Sequence, residues 1–327
     1  MRPTAGARSF RPVAAPGLLA CLCAALVALA LGPSARAADA PCVAATPACT
    51  DWIGLGGGPA RSLVYRTHAL DARNDVAVRA LVVVHGAGRD ADSYFRSAVA
   101  AAFLAGALED TVVIVPRFAS NDGAVCKDVL AAAEINWPCR GNSWRTGGSA
   151  PSDERLTSFD LMDEILRKLA RKGVFPRLRR VVVAGHSAGG QFVSRYQMAN
   201  AVHNALGLTV TYVVSNASSY AYLDPERPAG PGEVRPFADG RNCTTYDAWP
   251  YGLQQRTGYA ARAGDDQLRK QLAERPATFL LGGSTHCRWP TSTPRAPPWP
   301  RARIVWPAAR RSRLMSTRST APGTRSS

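Results

Sequence analysis

The sequence predicts an α/β protein built on a doubly wound, mostly parallel sheet, and three observations carry that prediction. Short apolar segments recur along the chain, amphipathic helical segments separate them, and one apolar segment runs through a glycine-flanked serine into a helix. Strands that alternate with helices favour a parallel sheet covered by helices on both faces. The predicted strands are Ser62–Thr67, Val76–Val84, Thr111–Val115, Val181–Val183, Leu208–Val214 and Ala277–Leu281.

The first 37 residues have the composition of an export signal. Arginines at positions 2, 8 and 11 precede an apolar stretch from Leu18 to Leu31, and the A-x-A sequence ending at Ala37 is typical of a cleavage site. The apolar stretch is too short to be assigned as a membrane span. We therefore expect the mature chain to begin near Ala38, secreted or periplasmic and without a stable membrane span; an uncleaved anchor is the alternative.

Export places the chain in an oxidising compartment, where cysteines form disulfides. Six cysteines follow the predicted signal, at positions 42, 49, 126, 139, 243 and 287. The close pairs Cys42–Cys49 and Cys126–Cys139 are plausible local disulfides, although sequence alone leaves the connectivity open. No histidine lies at zinc-ligand spacing from these cysteines, so we expect neither a metal nor a cofactor.

A formal charge of +16 suggests an acidic partner such as nucleic acid, but the charge is unevenly distributed. Thirteen of the 16 excess positive charges belong to the predicted signal and to the stretch after Gly283, which contains nine arginines and no acidic residue. The body between them keeps an excess of only +3, which gives it no reason to seek phosphate. The sequence therefore predicts no nucleic-acid partner.

Helical spacing of apolar residues predicts helices at Asp92–Leu104, Ser158–Lys172 and Gln191–Leu206. Gly173 ends the second of them. The stretch from about residue 120 to residue 151 has no periodicity and contains Trp137 and Trp144. A loop this long inside a compact domain is usually functional, so we interpret it as a disulfide-tied insertion beside a pocket. Its tryptophans contact either a substrate or the scaffold.

Two glycine motifs follow strands and point to chemistry. The motif Gly185–Gly189, centred on Ser187, has the G-x-S-x-G pattern of a nucleophile elbow. In such an elbow a sharp turn exposes the serine above the strand ends, and its neighbours must pack without side chains. A plain tight turn is the alternative. The second motif is His85–Gly88, which follows an apolar strand. A simple glycine turn is the alternative interpretation of this motif.

Together these motifs resemble the secreted bacterial α/β-hydrolases of the esterase and polyester-depolymerase-like group, over roughly residues 62–282. The loop before Ser158 and the sequence from Asn216 to Tyr220 add to the resemblance. It implies an α/β-hydrolase fold and a small-molecule or polymeric ester as the substrate. The site it implies consists of Ser187 as the catalytic nucleophile, Gly185 and Gly189 as elbow glycines, and the backbone amides of Ala87 and Ala188 as the oxyanion hole.

The other two members of a catalytic triad do not follow from the sequence. The resemblance implies an acid directly after the strand Ala277–Leu281 and a histidine further along the chain. No Asp or Glu follows Glu274, and the one histidine after His203 is His286, which lies where the acid is expected. The order of serine, acid and histidine therefore fails after Ser187.

Other titratable residues have simpler interpretations. His186 is next to Ser187, but consecutive residues at such a turn point apart, so we expect it to pack rather than to act as the base. We expect His85 to be a structural hydrogen-bonding residue. Asp160 and Asp163 are interpreted as solvated side chains on the polar face of a helix.

The stretch 284–327 is rich in Arg, Pro, Ser, Thr and Ala and has no apolar period. It is either a disordered basic tail or the product of a frameshift at about Gly283, which we favour. One permitted choice of codons from Gly283 onward, read from the third base of the first codon, gives an uninterrupted frame with an Asp directly after the last strand. The catalytic histidine would then lie beyond Ser327.

The sequence thus predicts three segments: a signal peptide at 1–37, a hydrolase domain at 38–283 that lacks its C-terminal elements, and an out-of-frame tail at 284–327. The leading functional hypothesis is a serine hydrolase of carboxylic esters that is impaired as written. A catalytically inactive hydrolase that binds ligands is the alternative. A tail that binds polyanions is the third hypothesis, and the charge distribution disfavours it.

Overall fold

The computed structural model of the protein describes residues 40–123, 126–139, 144–230, 233–237 and 243–282. The predicted export signal and the stretch 284–327 lie outside these residues. The cleavage site, the reading frame of the tail and the boundaries of the three segments therefore stay predictions. Among the described residues, no helix is long and apolar enough to cross a membrane.

The described chain alternates strands and helices as predicted. The strands are β1 Thr50–Gly54, β2 Arg61–Arg66, β3 Arg79–Val84, β4 Thr111–Pro116, β5 Ser149–Ala150, β6 Asp153–Thr157, β7 Arg180–His186, β8 Thr209–Ser215, β9 Glu226–Gly230, β10 Glu233–Pro236 and β11 Ala277–Leu280. The α-helices are α1 Ala91–Leu104, α2 Ser158–Ala170, α3 Ala188–Ala199 and α4 Asp265–Glu274.

Seven of the strands form one sheet in the order β1-β2-β4-β3-β7-β8-β11. The first two pairings are antiparallel, and the four pairings from β4 to β11 are parallel. The register pairs Gly185 of β7 with Val84 of β3 on one side and with Val214 of β8 on the other. The carboxyl ends of these three strands therefore meet at the same edge of the sheet. The short strands β5-β6 and β9-β10 form two separate hairpins.

Both faces of the sheet are covered by packed residues. Successive residues of a strand point to opposite faces, so a single strand contributes to both cores. Along β4, Val112 and Ile114 join a large core that includes the apolar residues of α2 and α3. Val113 and Val115 join a second core, in which Phe95 of α1 packs. The predicted doubly wound α/β fold is confirmed.

Helix α2 begins with a capping box. The hydroxyl of Thr157 accepts a hydrogen bond from the Asp160 amide at 3.2 Å, and the Asp160 carboxylate accepts one from the Thr157 amide at 2.8 Å. The predicted apolar stripe is buried in the large core; its members are Phe159, Met162, Ile165, Leu166 and Leu169. The helix ends at Ala170, two residues before the predicted Lys172.

Helix α3 ends at Ala199 instead of the predicted Leu206, because Asn200 offers the backbone another partner. The side-chain oxygen of Asn200 accepts hydrogen bonds from the amides of Val202 at 2.7 Å and His203 at 3.0 Å. Bonds of this kind compete with the helical pattern. The chain continues as a 3₁₀ helix at His203–Ala205.

The two predicted local disulfides, Cys42–Cys49 and Cys126–Cys139, are both present. The second lies in the long loop between β4 and β5, where Trp137 and Trp144 are fully buried. The indole N–H of Trp137 donates to the Ser62 hydroxyl of β2 at 2.9 Å. Of the two interpretations of these tryptophans, the structure supports scaffold packing. The disulfides are compatible with an extracellular or periplasmic protein.

Candidate active site

Ser187 occupies the sharp turn between β7 and α3, with φ of 56° and ψ of −115°. Residues other than glycine rarely adopt this backbone conformation, so the surrounding packing must impose it on Ser187. Two glycines permit the turn. A Cβ added at Gly185 would lie 2.9 Å from the Gly190 amide nitrogen, and one added at Gly189 would lie 2.7 Å from the His85 carbonyl oxygen. The strand–turn–helix geometry expected of an elbow is therefore present.

The His85–Gly88 loop lies beside this elbow. It follows β3, which pairs directly with β7, and Gly189 packs on the carbonyls at the end of β3. Ala87 is exposed, whereas Ala188 is buried as the first residue of α3. In the described part of the chain, neither of these two amides donates a backbone hydrogen bond. The two predicted oxyanion donors thus lie on adjacent strand ends.

His85 is a buried structural residue, as predicted. Its Nε2 accepts a hydrogen bond from the Phe118 amide at 3.2 Å, so the proton lies on Nδ1, which donates to the Gly86 carbonyl at 2.9 Å. Burial lowers its pKa to about 4. The imidazole therefore stays neutral and holds the loop in place, and the ring of Trp144 packs against it at 5.0 Å.

Arg89 fixes the same loop from its other end, where its own φ is 58°. Its guanidinium donates to the carbonyls of Trp137 at 3.0 Å and Pro138 at 2.9 Å, and also to that of Phe118. Because carbonyls of the long β4–β5 loop accept all three bonds, the disulfide-tied loop supports the backbone that carries Ala87. No local sequence pattern predicts these bonds, because they join residues that are far apart in the chain.

The structure brings together the elbow and the glycine loop, but it places no base or acid at Ser187 among the described residues. His186 is exposed, and its Nδ1 lies 3.3 Å from the Tyr94 hydroxyl. His68 is hydrogen-bonded to Thr67. His203, whose pKa burial lowers to about 4, is hydrogen-bonded to a tyrosine. After β11 the described chain continues only to Gly282, whose amide donates to the Asn216 side chain at 2.8 Å.

The comparison with known families decides the lineage. The sequence profile of the alpha/beta hydrolase family matches residues 81–326. The chain belongs to this family. The family resemblance read from the glycine motifs is thereby confirmed. A search among curated proteins gave no significant match.

Solved structures similar to this α/β-hydrolase include three enzymes. Poly(aspartic acid) hydrolase-1 from Sphingomonas sp. KT-1 is 20% identical with a TM-score of 0.45, over 72% of this chain and 71% of that one. The LpqC poly(3-hydroxybutyrate) depolymerase from Bordetella parapertussis is 18% identical with a TM-score of 0.44, over 69% and 61%. An esterase from Pyrobaculum calidifontis is 16% identical with a TM-score of 0.32, over 83% and 67%. The chain thus spans less than two thirds of the depolymerase.

The segment Asn216–Tyr220 of this α/β-hydrolase lies against the first turns of α3. The Gln191 side-chain amide donates to the Ser218 hydroxyl, and the Arg195 guanidinium donates to the Ser219 hydroxyl at 3.1 Å. The segment follows β8 directly, so it lies at the same edge of the sheet as Ser187. The Ser187 amide itself donates to the last carbonyl of β8 at 3.0 Å.

Asp163 corrects one sequence interpretation, because it is buried rather than solvated. Its carboxylate accepts hydrogen bonds from the hydroxyls of Tyr196 at 2.7 Å and Tyr259 at 2.6 Å. Burial outweighs these bonds and raises its pKa to about 6. The sequence held a signal: Asp163 is four residues from Phe159, which places it beside the apolar stripe.

One group of potential metal ligands occurs among the described residues, and it is not a metal site. The carboxylate of Asp122 and the sulfurs of Cys126 and Cys139 lie close together. The two sulfurs are joined in a disulfide, which removes the thiolates that a metal would need. One carboxylate oxygen of Asp122 accepts the Cys139 amide at 2.7 Å, so the residue caps the disulfide loop.

Proposed function

We propose that this α/β-hydrolase acts on carboxylic esters, with Ser187 as the nucleophile. The observation that supports the proposal most is the backbone of Ser187, which holds a positive φ between a central strand and a helix. Strain of this kind persists where the surrounding fold imposes it, and it is typical of functional sites. Ser187 is half-buried at the carboxyl edge of the sheet, where a serine hydroxyl can meet an ester.

In the proposed reaction the Ser187 oxygen attacks the ester carbonyl carbon, and an electron pair of the C=O bond moves to the carbonyl oxygen. The amides of Ala87 and Ala188 stabilise this oxyanion. Ala188 contributes further because it begins α3, where the helix dipole is positive. Collapse of the intermediate breaks the bond to the alcohol and leaves an acyl-enzyme, which water then hydrolyses.

The Ser187 proton must pass to a base, and the described residues place none beside it. Removal of the base and acid from such a triad costs on the order of 10⁴–10⁶ in rate. We therefore propose that the chain as written has at most trace activity. We also propose that residues 38–283 form the hydrolase domain after removal of residues 1–37, and that residues 284–327 are read out of frame. Sequencing of the gene across the Leu281 codon tests the last point, and an intact frame would refute it.

The nucleophile is tested by labelling the exported chain with a fluorophosphonate and by measuring p-nitrophenyl acetate hydrolysis. The expected result is slow labelling that is lost in Ser187→Ala, with hydrolysis close to background. Ser218→Ala is the matched control, because it removes a neighbouring serine hydroxyl from the same edge of the sheet. Fast turnover that depends on Ser187 would contradict the proposed impairment, and labelling that survives Ser187→Ala would contradict the assigned nucleophile.

A catalytically inactive hydrolase that binds ligands is the second candidate. The observation that favours it is the position of the four described histidines, none of which is hydrogen-bonded to Ser187. An activated serine reacts with a fluorophosphonate, whereas an inactive one does not. Complete absence of labelling in a folded chain would therefore favour the binding protein over the enzyme.

A further inference from the structure

A tyrosine of helix α1 lies between the two motifs of the proposed active site. Tyr94 is in the first turn of α1, where its amide donates to the Asp90 carbonyl at 3.1 Å. Its side-chain hydroxyl lies 3.3 Å from Nδ1 of His186, the last residue of β7. A Cβ added at Gly86 would lie 2.9 Å from the same hydroxyl oxygen and 3.7 Å from the ring carbon that carries it. The hydroxyl therefore lies against both the glycine loop and the elbow.

The two residues that this hydroxyl meets each precede a group assigned to the reaction. Gly86 is directly before Ala87, whose amide is one of the two proposed oxyanion donors, and His186 is directly before Ser187. The loop and the elbow are also close through their backbones, since a Cβ at Gly86 would lie 4.0 Å from the His186 carbonyl oxygen. The Tyr94 hydroxyl is therefore a side-chain link between the segment that carries an oxyanion donor and the segment that carries the nucleophile.

The hydrogen-bonding capacity of a phenol fits this position, because a hydroxyl can donate one hydrogen bond and accept another. Burial raises the pKa of Tyr94, and a backbone hydrogen bond from Gly86 opposes that rise. Only a donor favours the ionised phenol, so the Gly86 amide is the donor to its oxygen. The phenol keeps its own proton at neutral pH, and His186 Nδ1 accepts it when the neutral imidazole carries its proton on Nε2. A phenylalanine at this position could make neither bond.

The ring of Tyr94 is anchored, so its hydroxyl can hold the two motifs in place. Tyr94 packs against the core cluster that contains Phe95. The glycine loop is a turn in which the Arg89 amide donates to the Gly86 carbonyl at 3.2 Å, and within the described chain the Ala87 amide has no backbone acceptor. The backbone around Ala87 therefore depends on side-chain contacts for its position, and Tyr94 supplies the contact on the side of the elbow.

We propose that Tyr94 is a positioning residue of the active site, whose hydroxyl links Gly86 to His186 and so sets the distance between the Ala87 amide and Ser187. This inference rests on the proposed ester hydrolase function and adds a residue to its site. The hydroxyl acts through the backbone that it holds. An oxyanion donor stabilises the transition state only at hydrogen-bond distance from the position that the oxyanion will occupy, so a loosened loop slows attack by Ser187.

The test measures fluorophosphonate labelling of the full exported chain over a range of probe concentrations, which separates the maximal rate constant from the concentration that gives half of it. Tyr94→Phe keeps the ring and removes only the hydroxyl. We expect it to lower the maximal rate constant about tenfold and to leave the half-maximal concentration unchanged, because the oxyanion develops only in the transition state. Tyr65→Phe is the matched control and should label at the wild-type rate, since it removes a hydroxyl from a ring that stacks on Phe95 of α1 at 5.7 Å between centroids.

A second variant separates positioning from a general effect on the fold. His186→Leu removes the other end of the link, so it should slow labelling, and the double variant with Tyr94→Phe should be no slower than the slower of the two single variants. Residues that act through one shared contact are non-additive, whereas independent effects multiply. Circular dichroism establishes that each variant is folded. An unchanged rate constant in Tyr94→Phe, a change in the half-maximal concentration instead, or losses that multiply in the double variant would overturn the proposal.

The failure of this inference is distinguishable from the failure of the proposed enzyme function. Hydrogen exchange of the segment 85–88, followed by mass spectrometry, reports on the loop without any chemistry at Ser187. Tyr94→Phe should accelerate this exchange about tenfold, whereas Tyr65→Phe should not. Labelling that Tyr94→Phe leaves unchanged would refute the positioning role and keep the hydrolase. Absence of labelling in the wild type would refute the hydrolase; faster exchange in Tyr94→Phe would then still establish that the hydroxyl holds the loop, and unchanged exchange would refute both.

Discussion

Replacement of Asp163 by Asn should remove a pH-dependent contribution to folding stability. Asp163 is 2% exposed and its carboxylate is held by the hydroxyls of Tyr196 and Tyr259. Burial is the largest influence and raises its pKa from the ordinary 3.8 to about 6, against the opposing effect of the two hydrogen bonds. The folded state therefore holds this proton more tightly than the unfolded state does.

The sign follows from proton linkage. Between about pH 4 and pH 6 the folded chain binds more protons at this site than the unfolded chain, so stability falls as the pH rises through that window. A shift from 3.8 to about 6 corresponds to about 3 kcal/mol. The Asn variant has no proton to lose. The unfolding free energy of the wild type minus that of Asp163→Asn should therefore fall by about 2.5 kcal/mol from pH 4 to pH 7, since pH 4 already lies just above the ordinary pKa of 3.8.

Urea denaturation followed by tryptophan fluorescence at pH 4, 5, 6, 7 and 8 measures this difference. Glu164→Gln is the matched control, because it removes a carboxylate from the next position of the same helix, at the protein surface. The control should change the pH profile little. A difference between wild type and Asp163→Asn that stays constant from pH 4 to pH 7, or that rises with pH, would refute the reasoning.

Three further outcomes are expected. Gly189→Ala places a methyl group against the carbonyls that end β3 and should destabilise the fold by about 3 kcal/mol, seen as a lowered Tm; an unchanged Tm would contradict the packing described. Arg89→Met removes three hydrogen bonds to loop carbonyls and should cost about 2–4 kcal/mol by urea denaturation; a loss below about 0.5 kcal/mol would show that the loop holds without them. Replacement of Cys126 and Cys139 by Ser should cost about 3 kcal/mol, from the loop-closure entropy of the unfolded chain; a double variant as stable as the wild type would contradict this, and reduction of the wild type should cost more, because it also breaks Cys42–Cys49.

The sheet and the elbow could be predicted from sequence because both depend on local patterns. An apolar strand that ends in a glycine motif needs no distant partner to be recognised, and an added Cβ at Gly185 or Gly189 would clash with backbone atoms. The end of α3 was harder to predict. It depends on hydrogen bonds from the next amides to the Asn200 side chain, which replace a continuation of the helix. Propensity alone does not resolve that competition.

The burial of the charged residues Arg195 and Asp163 could not be predicted, because it depends on tertiary contacts. Arg195 looks like a solvated residue in an amphipathic segment, yet every residue of α3 is buried. That burial comes in part from a segment more than 50 residues further along the chain. There the Pro250 carbonyl accepts hydrogen bonds from the guanidinium. Asp163 is similar, since Tyr259 reaches it from a 3₁₀ helix that no pattern connects to α2.

Strand β7 is paired on both edges, and this determines which openings of the native structure expose its amides. Exposure of all the β7 amides requires separation of this strand from both β3 and β8, so native-state hydrogen exchange there should report large openings that approach global unfolding. In the described sheet β11 pairs with β8 alone, and Leu280 and Leu281 at its end are 50% and 57% exposed. Its amides should exchange through smaller, local openings. Ser187 thus follows a strand whose amides should exchange slowly, whereas β11, the last described strand, should exchange faster.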